Sequence, residues 1–400
     1  MKEQQWLRSL RGEKKEAIYR QILENPTISR MEMAKNLKMR ANTVSDLVQE
    51  LLDDGLVVET RTQPNGMRGR PVHTLKISAT RFVCLSIYPE DYHLIGSLMD
   101  MAEATIAELS VELPPEATNQ DFRSALDSIL SVLLVKIPEG ADLLGAGISL
   151  VGTVDAESKV WIEAIRWPNI KDVSLGFMER RIGAPIRLKR WQDTELEYQL
   201  MRNPACRTGN SMLLHWGTGI GVAFSHDGKV ISSRFGKFAD VGHTFVDSDP
   251  QRICRCGHSG CLEAVASIWA LMPVFRRKYP EMQENIHDVR KVLQETDIIL
   301  DPDFRYALGK VEISLANLFK LLFPDHIFFI GPFLQDSRIF REIEDTVTAI
   351  FSQKIYTNIR GKVTFEVVHD QFRFCKIANV RSFFDERLRR MLEAGETGRR

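Results

Sequence analysis

Gly236-Lys237-Phe238-Ala239-Asp240-Val241-Gly242-His243, with Cys254-Arg255-Cys256-Gly257-His258-Ser259-Gly260-Cys261-Leu262-Glu263 eleven positions on, is the stretch around which the chain is organised. Three of the six cysteines in 400 residues fall within eight positions of one another. Three thiolates and one imidazole complete a tetrahedral shell for Zn²⁺. The spacing is not that of a zinc finger. It points to a structural ion held by His243, Cys254, Cys256 and Cys261, which pins a loop inside a larger domain and keeps Asp240 and Glu263 beside it. Three unliganded cysteines with an incidental histidine are the alternative. Cys84, Cys206 and Cys375 are scattered, a distribution expected of a reducing cytoplasm rather than a disulfide scaffold.

Composition narrows the class. With 44% apolar residues the chain has material for full cores, and its length predicts two or three domains. The 53 basic and 53 acidic residues balance over the whole chain. Residues 1–80 hold 14 Lys/Arg and 10 Asp/Glu, a net of +4, so the rest carries −4. A basic head on an acidic body is expected of a nucleic-acid-binding module joined to something else. No run of 18 apolar residues occurs, and the start of the chain lacks an apolar segment. A membrane span or signal peptide is therefore not expected, and the protein is placed in the cytoplasm.

The head divides into short elements. Ala17, Ile18, Ile22 and Leu23 form a helical stripe over Glu13–Asn25, stopped by Asn25-Pro26. Ser29 and Glu32 form a capping box for a short helix reaching Leu37. The next helix, Ala41–Asp54, packs Val44, Leu47, Val48, Leu51 and Leu52, and Gly55 ends it. Two strands, Leu56–Thr60 and Val72–Ile77, flank the polar connection Gln63–Pro71. This is the winged form of the helix-turn-helix, whose recognition helix presents its N-terminal residues to base edges. Arg40, Ala41, Asn42, Thr43 and Ser45 are the expected DNA contacts there, with Asn42 suited to adenine and Arg40 to guanine or phosphate. Arg68 and Arg70 in the wing suit a narrow minor groove. A small helical bundle that binds another protein is the plainer alternative.

From Arg81 strands and helices alternate for some 300 residues, which predicts an α/β body of two lobes. Strands are expected at 82–87, 92–99, 145–151, 185–188, 211–215, 221–225 and 326–330, with helices near 121–136, 175–181, 193–201 and 306–323.

Four stretches of this body resemble the ROK family (repressors, open reading frames and sugar kinases), in particular its repressor branch. Leu150–Asp155 is similar to the family's VPGPVD turn, and Trp167-Pro168-Asn169-Ile170 to its APNL. Gly217-Thr218-Gly219-Ile220-Gly221 reproduces a glycine hairpin, and the opening stretch matches GxxGExGH…CxCGxxGCxE. The resemblance implies a two-lobed actin/hexokinase-like (ribonuclease H-like) α/β body at residues 81–390, behind a winged helix-turn-helix at 1–80 and ahead of a polar tail at 391–400.

The family's kinases hold phosphate in an Asp-x-Gly-Gly-Thr hairpin. The matching turn here, Ser86–Asp91, has no glycine and contains Pro89, which lacks an N–H. Gly331-Pro332 replaces a second glycine-rich turn. Phosphoryl transfer depends on positioning and charge stabilisation, so the resemblance points away from catalysis. On the sugar side, the family's Asn-Asp pair resembles Gln192-Asp193, Asp193 standing where the kinases keep their base, and its following Asn corresponds to Glu195. Asp240, His243 and Glu263 match the signature, and Asn169 is placed on the same cleft. His243 can give one ring nitrogen to zinc and the other to a ligand hydroxyl. The expected protein is thus a repressor that binds a double-stranded operator as a homodimer or tetramer and senses a small carbohydrate or sugar phosphate. A sugar kinase with Asp193 as base, and a scaffold without an effector, are the competing readings.

Overall fold

The computed structural model describes residues 2–25, 28–62, 72–233, 238–351, 363–369 and 371–393. The head comprises α1 (Lys2–Glu24), α2 (Arg30–Asn36), α3 (Ala41–Asp53) and the antiparallel pair β1 (Val57–Thr62) and β2 (Val72–Ile77). Helix α1 begins eleven residues before the expected Glu13. Of the apolar stripe, Ile18 and Ile22 are buried while Leu23 is exposed. The capping box forms as read: the Glu32 amide donates to Ser29 Oγ at 3.2 Å, and the Ser29 amide donates to Glu32 Oε2 at 2.8 Å. On α3, Val44, Leu47, Val48 and Leu51 are buried, while Arg40 at its N-cap makes no side-chain cap. Gly55 then turns the chain at φ +68°, a conformation that glycine adopts without a Cβ penalty.

The body has two lobes built on the same plan. The first contains β3 (Phe82–Glu90), β4 (His93–Asp100), β5 (Thr105–Glu112), α4 (Asn119–Leu134) and β6 (Asp142–Leu150). It continues through the small sheet β7 (Thr153–Asp155), β8 (Val160–Ala164) and β9 (Trp167–Ser174), then α5 (Phe177–Ile182) and β10 (Ile186–Arg190). Its main sheet runs β10-β6-β3-β4-β5. Helix α6 (Trp191–Arg202) leads to the second lobe, made of β11 (Asn210–Trp216), β12 (Ile220–His226), β13 (Lys229–Val230), α7 (Leu262–Ala266) and α8 (Ile268–Arg276). After these come α9 (Ile286–Glu295), α10 (Pro302–Leu322), β14 (His326–Ile330), α11 (Ser337–Phe351) and β15 (Thr364–Val368). The second sheet runs β13-β12-β11-β14-β15. In each lobe an antiparallel hairpin, β3–β4 or β11–β12, is extended by two parallel strands.

Helix α12 (Gln371–Glu393) returns to the first lobe. It continues three residues past the expected boundary at 390, and 394–400 lie outside the described residues. Each lobe has its own apolar core. A third core joins Ile18, Tyr19 and Ile22 of the head to Phe82, Met99, Tyr198 and the α12 residues Val380, Phe383 and Phe384. Among the described residues no helix is long and apolar enough to cross a membrane.

Candidate regulatory cleft and metal centre

The metal-ligand set comes together as the spacing predicts. The ligand atoms of His243, Cys254, Cys256 and Cys261 all lie within 4.8 Å of one another. Cys254 Sγ is 3.7 Å from His243 Nδ1, and Cys256 Sγ is 3.7 Å from Cys261 Sγ. The loop closes on itself: the Cys254 amide donates to the His258 carbonyl at 2.7 Å, and the Gly257 amide to the Cys254 carbonyl at 2.9 Å. Gly260, at φ +78°, passes so close that a Cβ would lie 2.1 Å from the Asp247 carbonyl oxygen. Burial pushes the Cys254 and Cys261 thiols up. Burial acts the same way on Cys256, but hydrogen bonds from His258 and the neighbouring cysteines overcome it and bring that thiol down to about 7. Crowded thiols of this kind suit a thiophilic divalent ion, which binds them as thiolates. His258, 3.8 Å from Cys256 Sγ through Nδ1, is a neighbour that spacing alone does not single out.

The centre sits at one side of the cleft between the lobes. Trp191, Gln192 and Arg166 line it from the first lobe and α6; His215, Asp240, His243, Arg255, Glu263 and Trp269 line it from the second. Glu263 Oε1 accepts the Ile220 amide at 2.9 Å, and burial raises its carboxyl above the usual range against the pull of His243. Gln192 lies against the hairpin at Gly221, where a Cβ would sit 2.7 Å from its Nε2.

Two residues expected in the cleft are elsewhere. Asn169 is exposed on β9, where its Nδ2 donates to the Glu116 carbonyl at 3.0 Å, and it is not among the residues lining the cleft. Asp193 is buried behind the cleft wall and accepts from Arg190 Nη2 at 2.7 Å and Nε at 3.2 Å. Burial raises its carboxyl, with Arg190 opposing. Arg190 also donates to the Val222 carbonyl at 2.8 Å, so the group standing at the base position is committed to an ion pair that ties the lobes together.

The turns that would cradle phosphate offer few donors. Pairing of Pro89 with Leu94 and Glu90 with His93 leaves only Asp91-Tyr92 in the β3–β4 turn. After β14, Gly331 at φ +121° presses on β11, with the Trp216 carbonyl oxygen 1.9 Å from a virtual Cβ, and Pro332 follows. In the head, Arg40, Ala41 and Asn42 are exposed, whereas Thr43 and Ser45 are half-buried. Arg68 and Arg70 lie outside the described residues.

A two-lobed body with this cysteine signature and interlobe cleft defines a class, and residues 94–371 match the model of the ROK family. The chain belongs to that family. Within it the chain is similar to the DNA-binding transcriptional repressor Mlc of Escherichia coli, 25% identical over 265 residues that span 64% of this chain and 63% of Mlc, a little under two thirds. It is 24% identical to the xylose repressor of Caldicellulosiruptor bescii over 78% of this chain and 80% of that protein. The E. coli dual regulator NagC is 23% identical over 86% of each chain. Among solved structures, a ROK family transcriptional regulator homologous to E. coli Mlc covers 96% of this chain with a TM-score of 0.68 and 19% identity. A ROK glucokinase from Streptomyces griseus, solved with glucose and AMPPNP, covers 75% with a TM-score of 0.58 and 18% identity.

Proposed function

We propose that the protein is a transcriptional regulator, in the first instance a repressor, that binds operator DNA through the head and a carbohydrate-type effector in the interlobe cleft. One observation carries this reading: a three-helix, two-strand head sharing its core with a ROK body whose phosphate turns carry proline in place of donor N–H groups. The curated relatives named for DNA binding and repression support it. Arg40, Ala41 and Asn42 at the start of α3 would enter the major groove, and two heads in a homodimer would meet half-sites about one helical turn apart.

In the cleft, Trp191 and Trp269 offer flat apolar faces, while Gln192, Asp240, His243 and Glu263 offer hydrogen bonds suited to sugar hydroxyls. The metal at His243, Cys254, Cys256 and Cys261 is zinc in this reading. When bound, it fixes the loop and the His243 ring and takes no part in chemistry. The effector would act by binding one placement of the heads better than the other, because only differential affinity shifts such an equilibrium. The test is binding of the full chain to DNA fragments from its own genomic neighbourhood at several salt concentrations. Salt-sensitive binding to a discrete palindromic site is expected; absence of binding to every fragment would overturn the proposal.

A further inference from the structure

A second imidazole stands at the metal centre. Zinc bonds of about 2.3 Å to sulfur and about 2.0–2.1 Å to nitrogen place tetrahedral ligand atoms about 3.8 Å apart for two sulfurs and about 3.6 Å for sulfur and nitrogen. Three separations here match such edges. Cys256 Sγ is 3.7 Å from Cys261 Sγ, Cys254 Sγ is 3.7 Å from His243 Nδ1, and Cys256 Sγ is 3.8 Å from His258 Nδ1. His258 thus approaches its thiol about as closely as His243 approaches its own. The set whose atoms all converge contains His243 and not His258. The second ring therefore meets one corner of the tetrahedron rather than all of them.

The two rings face different surroundings. His243 is half-buried and lines the interlobe cleft beside Asp240 and Glu263, whereas His258 is exposed and is not among the cleft-lining residues. Cys254 and Cys261 are buried, so the half-buried Cys256 is the thiol most open to solvent, and it is the one that His258 meets. The backbone under His258 is held: its carbonyl accepts the Cys254 amide at 2.7 Å, and Ile253 bridges Ser259. The space beside it is open. Gly257 has φ +92°, and among the described residues nothing lies within 4 Å of where its Cβ would stand. The His258 side chain can turn further onto the thiols without refolding the loop.

We propose that His258 is a reserve metal ligand, which completes with Cys254, Cys256 and Cys261 a second three-thiolate, one-imidazole set when His243 turns to the cleft. This second set lies within eight consecutive residues. The inference rests on the zinc reading of the centre. Each ring offers the lone pair of Nδ1 and keeps its hydrogen on Nε2. In the exchange one coordinate bond forms as the other breaks; no proton moves and the charge of the site stays the same. A cleft occupant that engages His243 then has no need to expel the ion, and the loop stays folded while the cleft changes state.

The experiment compares zinc binding by the full chain with that of His243→Leu, His258→Ala and the double variant, using chelator competition and zinc X-ray absorption. Parent and single variants should each hold close to one ion per chain. Each single substitution should weaken binding less than about tenfold, and the double substitution by about a hundredfold or more. The absorption spectrum of His243→Leu should keep three sulfurs and one nitrogen with imidazole scattering, and that scattering should vanish in the double variant. A His243→Leu protein that loses the ion, or holds it through three sulfurs and an oxygen, overturns the inference and leaves the zinc reading standing. Should His243→Leu not fold, His258→Ala decides alone, since that ring is exposed. Its loss should speed zinc release to the chelator about threefold or more, and an unchanged rate overturns the inference. A parent that holds no zinc after loading removes the inference together with the zinc reading.

Discussion

Gly217, Gly219 and Gly221 each make room for a side chain of the cleft. A Cβ on them would lie 2.9 Å from His215 Nε2, 2.8 Å from Glu263 Oε1 and 2.7 Å from Gln192 Nε2. The hairpin that resembles a phosphate loop therefore packs here against an imidazole, a carboxyl and an amide. Asp193 illustrates the same shift from chemistry to structure. Asp193→Asn keeps the shape but leaves Arg190, buried, without its counter-charge. Breaking a buried pair costs about 3–5 kcal/mol; the amide retains one acceptor, so a loss of about 2 kcal/mol in urea denaturation is expected, with no ADP release from parent or variant in a coupled assay. Cys256→Ser should lower bound zinc well below one ion per chain by elemental analysis. Loss of the ion frees the loop that holds His243, so response to an effector should fail before operator binding does. The cluster of His243, Cys254, Cys256 and Cys261 was legible because coordination dictates residue type and spacing. Asn169 was not, since a motif match does not say which way a strand faces. The pairing of Glu195 with His215 joins residues 20 positions apart on α6 and β11, and no local pattern reveals it.

At the scale of elements, stripes and apolar runs located α2, α3, α4, α10, β3, β4, β6, β11, β12 and β14. Edge strand β5 was missed although Thr105–Glu112 alternates, because its faces are only half-buried. Helix α8 is short and contains Pro273. Helix α12 matters most among the misses. It lies on the first sheet where small residues allow close approach: a Cβ on Gly147 would fall 2.1 Å from the Asn379 carbonyl oxygen, and one on Gly145 2.4 Å from the Phe383 ring. Asn379 Nδ2 donates to Ser86 Oγ at 3.1 Å and Ser149 Oγ at 3.2 Å, which fixes the helix in register. In Gly147→Ala the new methyl meets backbone, so the helix must move. Overpacking of this kind costs about 1–3 kcal/mol, and a value near the upper end is expected in chemical denaturation. Gly140→Ala, with open space around it but φ +75°, should lose only the smaller cost of backbone strain, of order 1 kcal/mol.

Over the whole molecule the boundary drawn at residue 80 divides the chain by composition, yet the core crosses it. Ile18, Tyr19 and Ile22 from α1 share one apolar cluster with Phe383 and Phe384 from α12 and Tyr198 from α6. The same α6 begins at Trp191 and Gln192 on the cleft wall, so a single helix touches both the interlobe cleft and the root of the head. Composition shifts report where solvent-facing charge changes; they do not report which buried faces meet across hundreds of residues. The head's role is separable from this coupling by salt dependence. Arg40 and Asn42 are neighbours and both exposed, but a phosphate contact and a base contact leave different signatures. If Arg40 neutralises one phosphate, Arg40→Ala weakens binding to all DNA and reduces the magnitude of the slope of log K against log salt by about 1. If Asn42 reads an adenine edge, Asn42→Ala leaves that slope unchanged, lowers operator affinity by about 1–3 kcal/mol and relaxes discrimination at one base pair. Fluorescence anisotropy of the full chain on operator and scrambled duplexes from 50 to about 200 mM salt resolves the two effects. Equal slopes and equal affinities for parent and both variants would mean that α3 does not enter the groove, and the head would then be a protein-binding bundle.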